Sequence, residues 1–151
     1  MATADKVSDG PVRVQGLYHA SFPVNDIAEA VRLYCGVLGM QHLRTIDEPN
    51  SEMAFLRIAD GITVIAIRMK NELPRARRPA EPLDVNGEHT AFKVNSLEDH
   101  RRMLEKLAAY GLKPFYQLDR KPAVLPGRES YFQDPNGGHI FEIRAPLPTG
   151  E

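Results

Sequence analysis

The sequence repeats one order of predicted elements twice, and this repeat constrains its fold more than any other feature. In the first half, a strand-like run over 16–24 precedes a helix that is predicted to start at Asn25-Asp26 and to end at Gly36 or Gly39. Three strands are predicted after this helix, over 40–46, 53–58 and 62–69. The first half is therefore a β-α-β-β-β unit.

The second half follows the same order. A strand over 88–94 precedes a helix with a predicted cap at Ser96 and a predicted end at Tyr110-Gly111. Three more strands are predicted over 112–118, 129–133 and 139–145, with a pronounced turn over 134–138 before the last one.

One such unit cannot close on itself, whereas two can curl around a shared concave face. The sequence therefore predicts an α+β fold, in which two βαβββ modules form a curled, cupped mixed sheet with the helices outside. We expect a flexible N-terminus over 1–13, a single domain over 14–147 and a tail over 148–151. Within the domain, module 1 spans 14–69, a Pro-rich charged linker spans 70–87, and module 2 spans 88–147.

Composition limits the function classes. A length of 151 residues fits one domain, and a net charge of -1 gives no support for a nucleic-acid partner. The longest apolar stretch, 62–67, is far too short to cross a bilayer, and the N-terminal residues contain no signal-peptide pattern. The single cysteine fits a reducing compartment. We expect a cytoplasmic protein that binds a small-molecule substrate, without a membrane or nucleic-acid partner.

Two histidines occupy matching places in the repeat. His19 lies in the first predicted strand of the first half and His89 in the first predicted strand of the second half. Glu142 lies in the last strand, between Phe141 and Ile143, where an unpaired carboxylate costs several kcal/mol to bury. Two imidazoles and one carboxylate suit Fe(II), Mn(II), Co(II), Ni(II) or Zn(II) and leave positions for a substrate. The sequence thus predicts one divalent ion on this trio, although each histidine taken alone also fits an ordinary polar residue of a strand.

The pattern around these residues resembles a known superfamily. His19 precedes Asn25-Asp26, Tyr34 and Leu38-Gly39, and the run 131–137 (YFQDPNG) leads to Glu142. Over about residues 14–146, the chain is similar to the vicinal-oxygen-chelate superfamily, which includes glyoxalase I, extradiol dioxygenases, fosfomycin-resistance proteins and methylmalonyl-CoA epimerase. The resemblance implies that His19, His89 and Glu142 bind the metal. It also implies a homodimer, with each site formed within one chain or across two.

Two departures from the superfamily pattern narrow the expectation. Glyoxalase I and the epimerases use a fourth ligand, Glu or Gln, from the strand that closes the first half, but 62–67 contains neither residue. This leaves a 2-His-1-carboxylate set, which is typical of non-heme Fe(II) oxygenases and also fits the Mn(II) fosfomycin-resistance proteins. Four residues separate Gly137 from Glu142, whereas three are common in the superfamily. We therefore expect a bulge at Gly137-Gly138 to keep Glu142 on the same face of its strand as in the superfamily.

The first hypothesis is an Fe(II) dioxygenase that acts on a catechol-like or other vicinal-oxygen substrate. Tyr131 resembles the tyrosine that binds the substrate oxygen in extradiol enzymes. Those enzymes also carry a catalytic histidine shortly before that tyrosine, and 101–138 contains none. His42 and His139 are the possible substitutes, although a structural role is the simpler interpretation of both.

Two alternatives stay open. One is a metal-dependent lyase or transferase, of the glyoxalase or fosfomycin-resistance kind, that acts on a small anionic compound. In that case Arg144, which shares a strand face with Glu142, is the predicted catalytic residue and binds the anion beside the metal. The other is a non-catalytic drug-binding protein. Fe(II) is the favoured metal, and Mn(II) or Zn(II) also fits.

Overall fold

The computed structural model describes residues 10–121 and 125–148. Most of the predicted flexible N-terminus and of the predicted tail lies outside these residues. No helix in the described ranges has the length and apolar content that crossing a membrane would require. The strands are β1 His19–Pro23, β2 Gln41–Asp47, β3 Ser51–Arg57, β4 Thr63–Met69, β5 Thr90–Lys93, β6 Tyr116–Arg120, β7 Gly127–Gln133 and β8 Ile140–Ala145. The α-helices are α1 Ile27–Val31 and α2 Leu97–Tyr110, and the linker contains a 3-10 helix at Pro82–Asn86.

The strands form two four-stranded sheets of the same design. The first sheet has the order β1-β4-β3-β2 and the second the order β5-β8-β7-β6. In each sheet the first and last strands of the module pair in parallel, and the remaining pairs are antiparallel. This topology confirms the α+β class and the duplicated βαβββ module.

The helix ends follow the capping signals in the sequence. The Asp26 side chain accepts a hydrogen bond from the Glu29 amide (3.0 Å), and the Ser96 hydroxyl accepts one from the Asp99 amide (3.0 Å). Helix α2 ends at Gly111 with φ of 108°, a left-handed conformation that glycine adopts without strain. The sequence did not indicate that α1 continues directly as a π-helical segment, Arg32–Val37.

The helices of both modules pack into one hydrophobic core. Every second residue of each sheet points into it, as period-2 alternation requires. The buried cluster includes Phe22, Leu56 and Val64 from the first sheet, Phe132, Phe141 and Ile143 from the second, and Leu33, Tyr34 and Leu107 from the helical segments.

The other face of each sheet points away from this core. In the first sheet this face carries His19, Phe55 and Ile65, and we call it the His19 face. In the second sheet it carries Tyr131 and Glu142, and we call it the Glu142 face. The predicted metal ligands therefore lie on faces that the helices leave uncovered.

The β7–β8 turn ties the second module to the first. The Asn136 side-chain oxygen accepts hydrogen bonds from the amides of Asn25 (2.9 Å) and Asp26 (2.8 Å), and its side-chain nitrogen donates to the Asp26 carbonyl (2.8 Å). Gly137 follows with φ of 107°, and a Cβ there would lie 2.8 Å from the Pro23 carbonyl oxygen. The turn thus fits closely against the end of β1.

We expect Asn136→Ala to destabilise the protein, because it removes three hydrogen bonds between the modules. Each is worth about 1 kcal/mol net, so the free energy of unfolding should fall by about 2–3 kcal/mol. Urea denaturation measures this change. Asn71→Ala, in the exposed linker, is the matched control and should change it by less than about 0.5 kcal/mol. Equal effects of the two substitutions would refute this role of Asn136.

Candidate metal centre

Glu142 is a buried carboxylate on the face that lacks helical cover. It lies on β8, opposite Tyr131 of β7 and beside Ala91 of β5, and only 2% of its side chain is exposed. In the turn before β8, Gly137 and Gly138 both adopt positive φ, 107° and 84°. The β7–β8 register that follows has no shift and sets Glu142 opposite Tyr131, so the expected bulge stays a prediction.

His89 faces Glu142 with its outer ring nitrogen. Nε2 lies 3.4 Å from Glu142 Oε2, and Nδ1 lies 2.9 Å from the Gly87 carbonyl oxygen. Because a carbonyl only accepts, Nδ1 carries a hydrogen, and Nε2 points at the carboxylate. A proton on Nε2 or a metal ion between the two atoms would stabilise this contact.

The spacing of these two atoms suits a metal. Ligand atoms that each lie about 2.1 Å from one ion are about 3.0–3.4 Å apart when the angle between them is about 90–109°. The hydrogen bond from His89 to Gly87 is the usual way in which a ligating histidine is oriented. His89 and Glu142 therefore fit as two ligands of a divalent ion.

Arg144 and Glu129 hold Glu142 in place. Arg144 Nη1 donates to Glu142 Oε1 (3.0 Å) and also to the carboxylate of Glu129, of which only 1% is exposed. This leaves Glu142 Oε2 directed at His89. These contacts fix the orientation of the Glu142 carboxylate.

Glu129 was not among the site residues predicted from the sequence. Its carboxylate also accepts hydrogen bonds from Arg120 Nε (3.0 Å) and from the Tyr131 hydroxyl (3.0 Å). Burial opposes its ionisation, but the hydrogen bonds from Arg120 and Tyr131 and the positive charge of Arg144 outweigh burial and lower the pKa of Glu129. The sequence did contain a signal for Glu129, because this residue lies two positions before Tyr131 on β7 and so shares its face of the strand.

Tyr131 is a protonated hydroxyl beside the centre. Burial raises its pKa, and the negative charges of Glu142 and Glu129 raise it further. Its ring lies edge-on to His89, with 5.5 Å between the centroids. The structure thus places Tyr131 next to both His89 and Glu142, and its role in binding substrate stays a prediction.

Arg144 is bound to two carboxylates through one of its terminal nitrogens. Its Nη1 serves two carboxylates, and its Nη2 is buried without a hydrogen-bond partner among the described residues. An anion would reach Nη2 only after the side chain moved. The observed contacts assign Arg144 to holding Glu142, and its predicted role in binding an anion stays a prediction.

His19 does not join His89 and Glu142 within one chain. It is the first residue of β1, it is exposed, and its ring contacts Tyr18 edge-on at 5.9 Å between centroids. The described ranges contain no group of three His, Cys, Asp or Glu residues placed to hold a metal ion. The chain therefore brings two of the three predicted ligands together, and the complete trio stays a prediction.

The duplicated register shows what replaces a fourth ligand. In the second sheet Glu142 pairs with Ala91, which is the second residue after His89. In the first sheet the second residue after His19 pairs with Ile65. Ile65 therefore occupies in module 1 the place that Glu142 occupies in module 2, and the position is apolar.

The other three of the five histidines have different surroundings. His139 stacks on Phe22 at 4.5 Å between centroids, and burial lowers its pKa to about 4. His42 is exposed on β2, and buried His100 is hydrogen-bonded to Ser130 on the core side of β7. Within the described chain, His89 alone of the histidines contacts Glu142.

The chain belongs to the Glyoxalase/Bleomycin resistance protein/Dioxygenase superfamily, because the model of that family matches residues 16–143. The fold is shared with known structures of such proteins. A glyoxylase/bleomycin resistance protein/dioxygenase domain from Frankia sp. EAN1pec is 20% identical, with 91% of this chain and 96% of that chain covered and a TM-score of 0.72.

Two fosfomycin-resistance proteins also share the fold. The FosX protein of Listeria monocytogenes, in complex with Mn(II) and a sulfate ion, is 22% identical, with 90% and 96% of the two chains covered and a TM-score of 0.62. FosX of Mesorhizobium loti is 24% identical, with 92% and 94% covered and a TM-score of 0.59. At these identities the likeness establishes the fold alone.

The low pKa of His139 predicts a loss of stability in acid. Because its folded pKa of about 4 lies below the unfolded value of 6.5, its contribution is complete above pH 6.5 and is lost as the pH falls towards 4. Between pH 7.5 and 5 the loss should be about 2 kcal/mol. Urea denaturation at both pH values should show a smaller loss for His139→Gln. The exposed control His42→Gln should behave like wild type, and identical pH dependence in all three proteins would contradict this role.

Proposed function

We propose that the protein is an enzyme that holds one divalent metal ion with His89, Glu142 and His19. The observation that carries this proposal is Nε2 of His89 facing Oε2 of the buried Glu142 carboxylate at 3.4 Å. Membership of the superfamily supports it, and the Listeria FosX protein provides an example with bound Mn(II). The substrate in this proposal is a small molecule that chelates the ion through two adjacent oxygens.

The proposed enzyme is a homodimer in which a second copy supplies His19. In its own chain His19 is exposed and has no contact with His89 or Glu142 among the described residues. A two-fold axis would place each His19 face against the Glu142 face of the partner and create two equivalent sites.

The favoured chemistry is that of an Fe(II) dioxygenase on a catechol-like substrate. Ile65 in the fourth-ligand position leaves three protein ligands and hence open positions for a chelating substrate and a further small molecule. Bound iron would supply the template and the electron transfer that oxygen chemistry needs.

Tyr131 and Glu129 would orient the substrate. The Tyr131 hydroxyl donates its hydrogen to Glu129, so the lone pairs of the tyrosine oxygen are available to a substrate hydroxyl beside Glu142. Tyr131 would thereby accept a hydrogen bond from the substrate oxygen and fix its position. This arrangement provides a polar group beside the centre without a further histidine.

A second candidate is a metal-dependent lyase or transferase that uses Mn(II) or Zn(II) and acts on an anionic compound. It is favoured by the two arginines, Arg120 and Arg144, that accompany the Glu129 carboxylate next to the centre. These cations balance the charges of Glu129 and Glu142, so a divalent ion would leave a net positive site that attracts an anion.

Mixed dimers test the shared metal centre. We expect wild-type protein to bind about one divalent ion per chain, and His19→Ala or Glu142→Gln protein to bind none tightly. If the two variants are unfolded and refolded together, half the dimers should combine one intact His19 with one intact Glu142. Tight binding should then return to about a quarter of the wild-type capacity. Equilibrium dialysis with metal analysis measures it.

The controls separate the two parts of that proposal. Glu105→Gln, on the exposed side of α2, should bind metal normally. Folded wild-type protein without metal affinity would refute the metal centre. Metal binding by wild type without any recovery on mixing would instead place all three ligands in one chain.

Oxygen consumption tests the chemistry. Protein loaded anaerobically with Fe(II) should consume O2 with at least one member of a catechol panel, and Tyr131→Phe should lower kcat by about tenfold or more. Tyr116→Phe is the matched control, because Tyr116 pairs with Tyr131 on the same face, away from Glu129. No uptake with any catechol, together with thiol-dependent epoxide opening by the Mn(II) protein, would favour the second candidate.

A further inference from the structure

A cavity of about 730 Å³ lies between the two modules. Module 1 contributes the segments 38–40 and 58–60 to its lining, and module 2 contributes β5 and helix α2. Its volume is in the range of pockets that hold small organic molecules. None of the described residues that line it belongs to the candidate metal centre. We call it the inter-module cavity and treat it as a separate candidate site.

Part of the lining of the inter-module cavity is apolar. The apolar lining includes side chains that also belong to the hydrophobic core or pack against it, namely Leu38, Met40, Ile58, Val94, Met103 and Ile143. Water in the cavity would contact these side chains, whereas an apolar group would remove both surfaces from water. The cavity therefore favours a ligand with an apolar body.

Three cationic side chains line the same cavity. Lys93 is the last residue of β5, and Arg102 and Lys106 lie on α2. Because Arg102 and Lys106 are four residues apart, they are neighbours on one face of the helix and repel each other. None of the three forms an ion pair with a described residue. An anion between them would relieve this repulsion.

The acidic residues close by leave the cationic charge in excess. On α2, Glu98 and Glu105 both form ion pairs with Arg101. Asp60 and Asp99 line the cavity, and Asp60 also accepts a hydrogen bond within its own turn. The lining thus contains three cations and two carboxylates, which is a net charge of +1. A ligand with one negative charge would neutralise it.

We infer that the inter-module cavity is a second binding site, and that its ligand is a small amphipathic monocarboxylate with an alkyl or arylalkyl body. The carboxylate would lie among Lys93, Arg102 and Lys106, and the apolar body would lie against side chains such as Ile58 and Met103. A neutral apolar molecule would leave the cations unpaired, and a cationic one would add to their repulsion. The site is independent of the proposed metal centre.

Titration of the metal-free, full-length protein with decanoate tests the inference. Decanoate should bind at one site per chain, and decylammonium, which has an alkyl chain of the same length and the opposite charge, should bind at least about tenfold more weakly. The double substitution Arg102→Gln/Lys106→Gln should weaken decanoate binding by about fivefold or more, because it removes two exposed ion pairs with the ligand. Isothermal titration calorimetry below the micelle concentration measures these affinities.

Lys113→Gln is the matched control, because Lys113 is an exposed lysine that does not line the cavity. It should keep the wild-type affinity for decanoate. The inference is overturned if wild-type protein shows no saturable decanoate binding, or if the double variant binds decanoate as tightly as wild type. A Met103→Ser protein that loses its dimer and keeps its decanoate affinity would also overturn it, because the cavity would then be a contact between two copies.

Discussion

The register of β8 between β5 and β7 is the constraint on which the candidate centre depends. It puts Glu142 opposite Tyr131 and beside Ala91, on the face away from the core. A shift by one residue would turn Glu142 into the core and Phe141 out of it, at the cost of an unpaired buried charge and of lost apolar burial. The two glycines of the preceding turn make the observed register accessible, because both positions require positive φ.

That turn connects folding to the site. Asn136 binds the start of α1, and a Cβ at Gly138 would lie 2.5 Å from Cδ of Arg77, so the turn is also closely covered by the linker. The same few residues thus set the strand register, join the two modules and hold the linker. Changes in the turn should therefore reach Glu142 through the register even though the turn is outside the centre itself.

Charge balance explains how two carboxylates stay buried side by side. Glu129 and Glu142 share Arg144, and Glu129 has a second cation in Arg120. Each negative charge is thus matched within the described network, which offsets much of the cost of burial. Glu142 Oε2 faces His89 Nε2 rather than an arginine, so the space between these two atoms is where the proposed metal ion would lie.

Local signals made much of the fold predictable. The caps at Ser96 and Gly111 and the order of strands follow from residue types and alternation. The strands β1 and β5 are shorter than expected, His19–Pro23 and Thr90–Lys93, mainly because the residues before them have no partner in the sheet register. The π-helical segment had no sequence signal, and the ion pair of Glu129 with Arg144 depends on the β7–β8 register, which the spacing of Glu129 and Tyr131 along one strand does not give.

The internal repeat of the sequence does not predict whether His19 lies near His89 and Glu142. A repeat predicts equivalent positions within two modules, and His19 and His89 do occupy such positions. His19 lies two residues before the partner of Ile65, and His89 lies two residues before Ala91, the partner of Glu142. The repeat does not predict how one module is placed against the other. The chain combines the core sides of both sheets in one buried cluster that contains none of His19, His89 and Glu142.

Ile65 lies in module 1 at the position that Glu142 holds in module 2, so the two modules differ chemically at this point. If module 1 also carried a glutamate at this position, the protein would supply a metal ligand from both modules. Here one module provides the oriented carboxylate, and the other presents an isoleucine that cannot bind a metal. In the proposed centre this position would therefore supply no competing ligand, and the reaction would depend on which substrate occupies the open coordination positions.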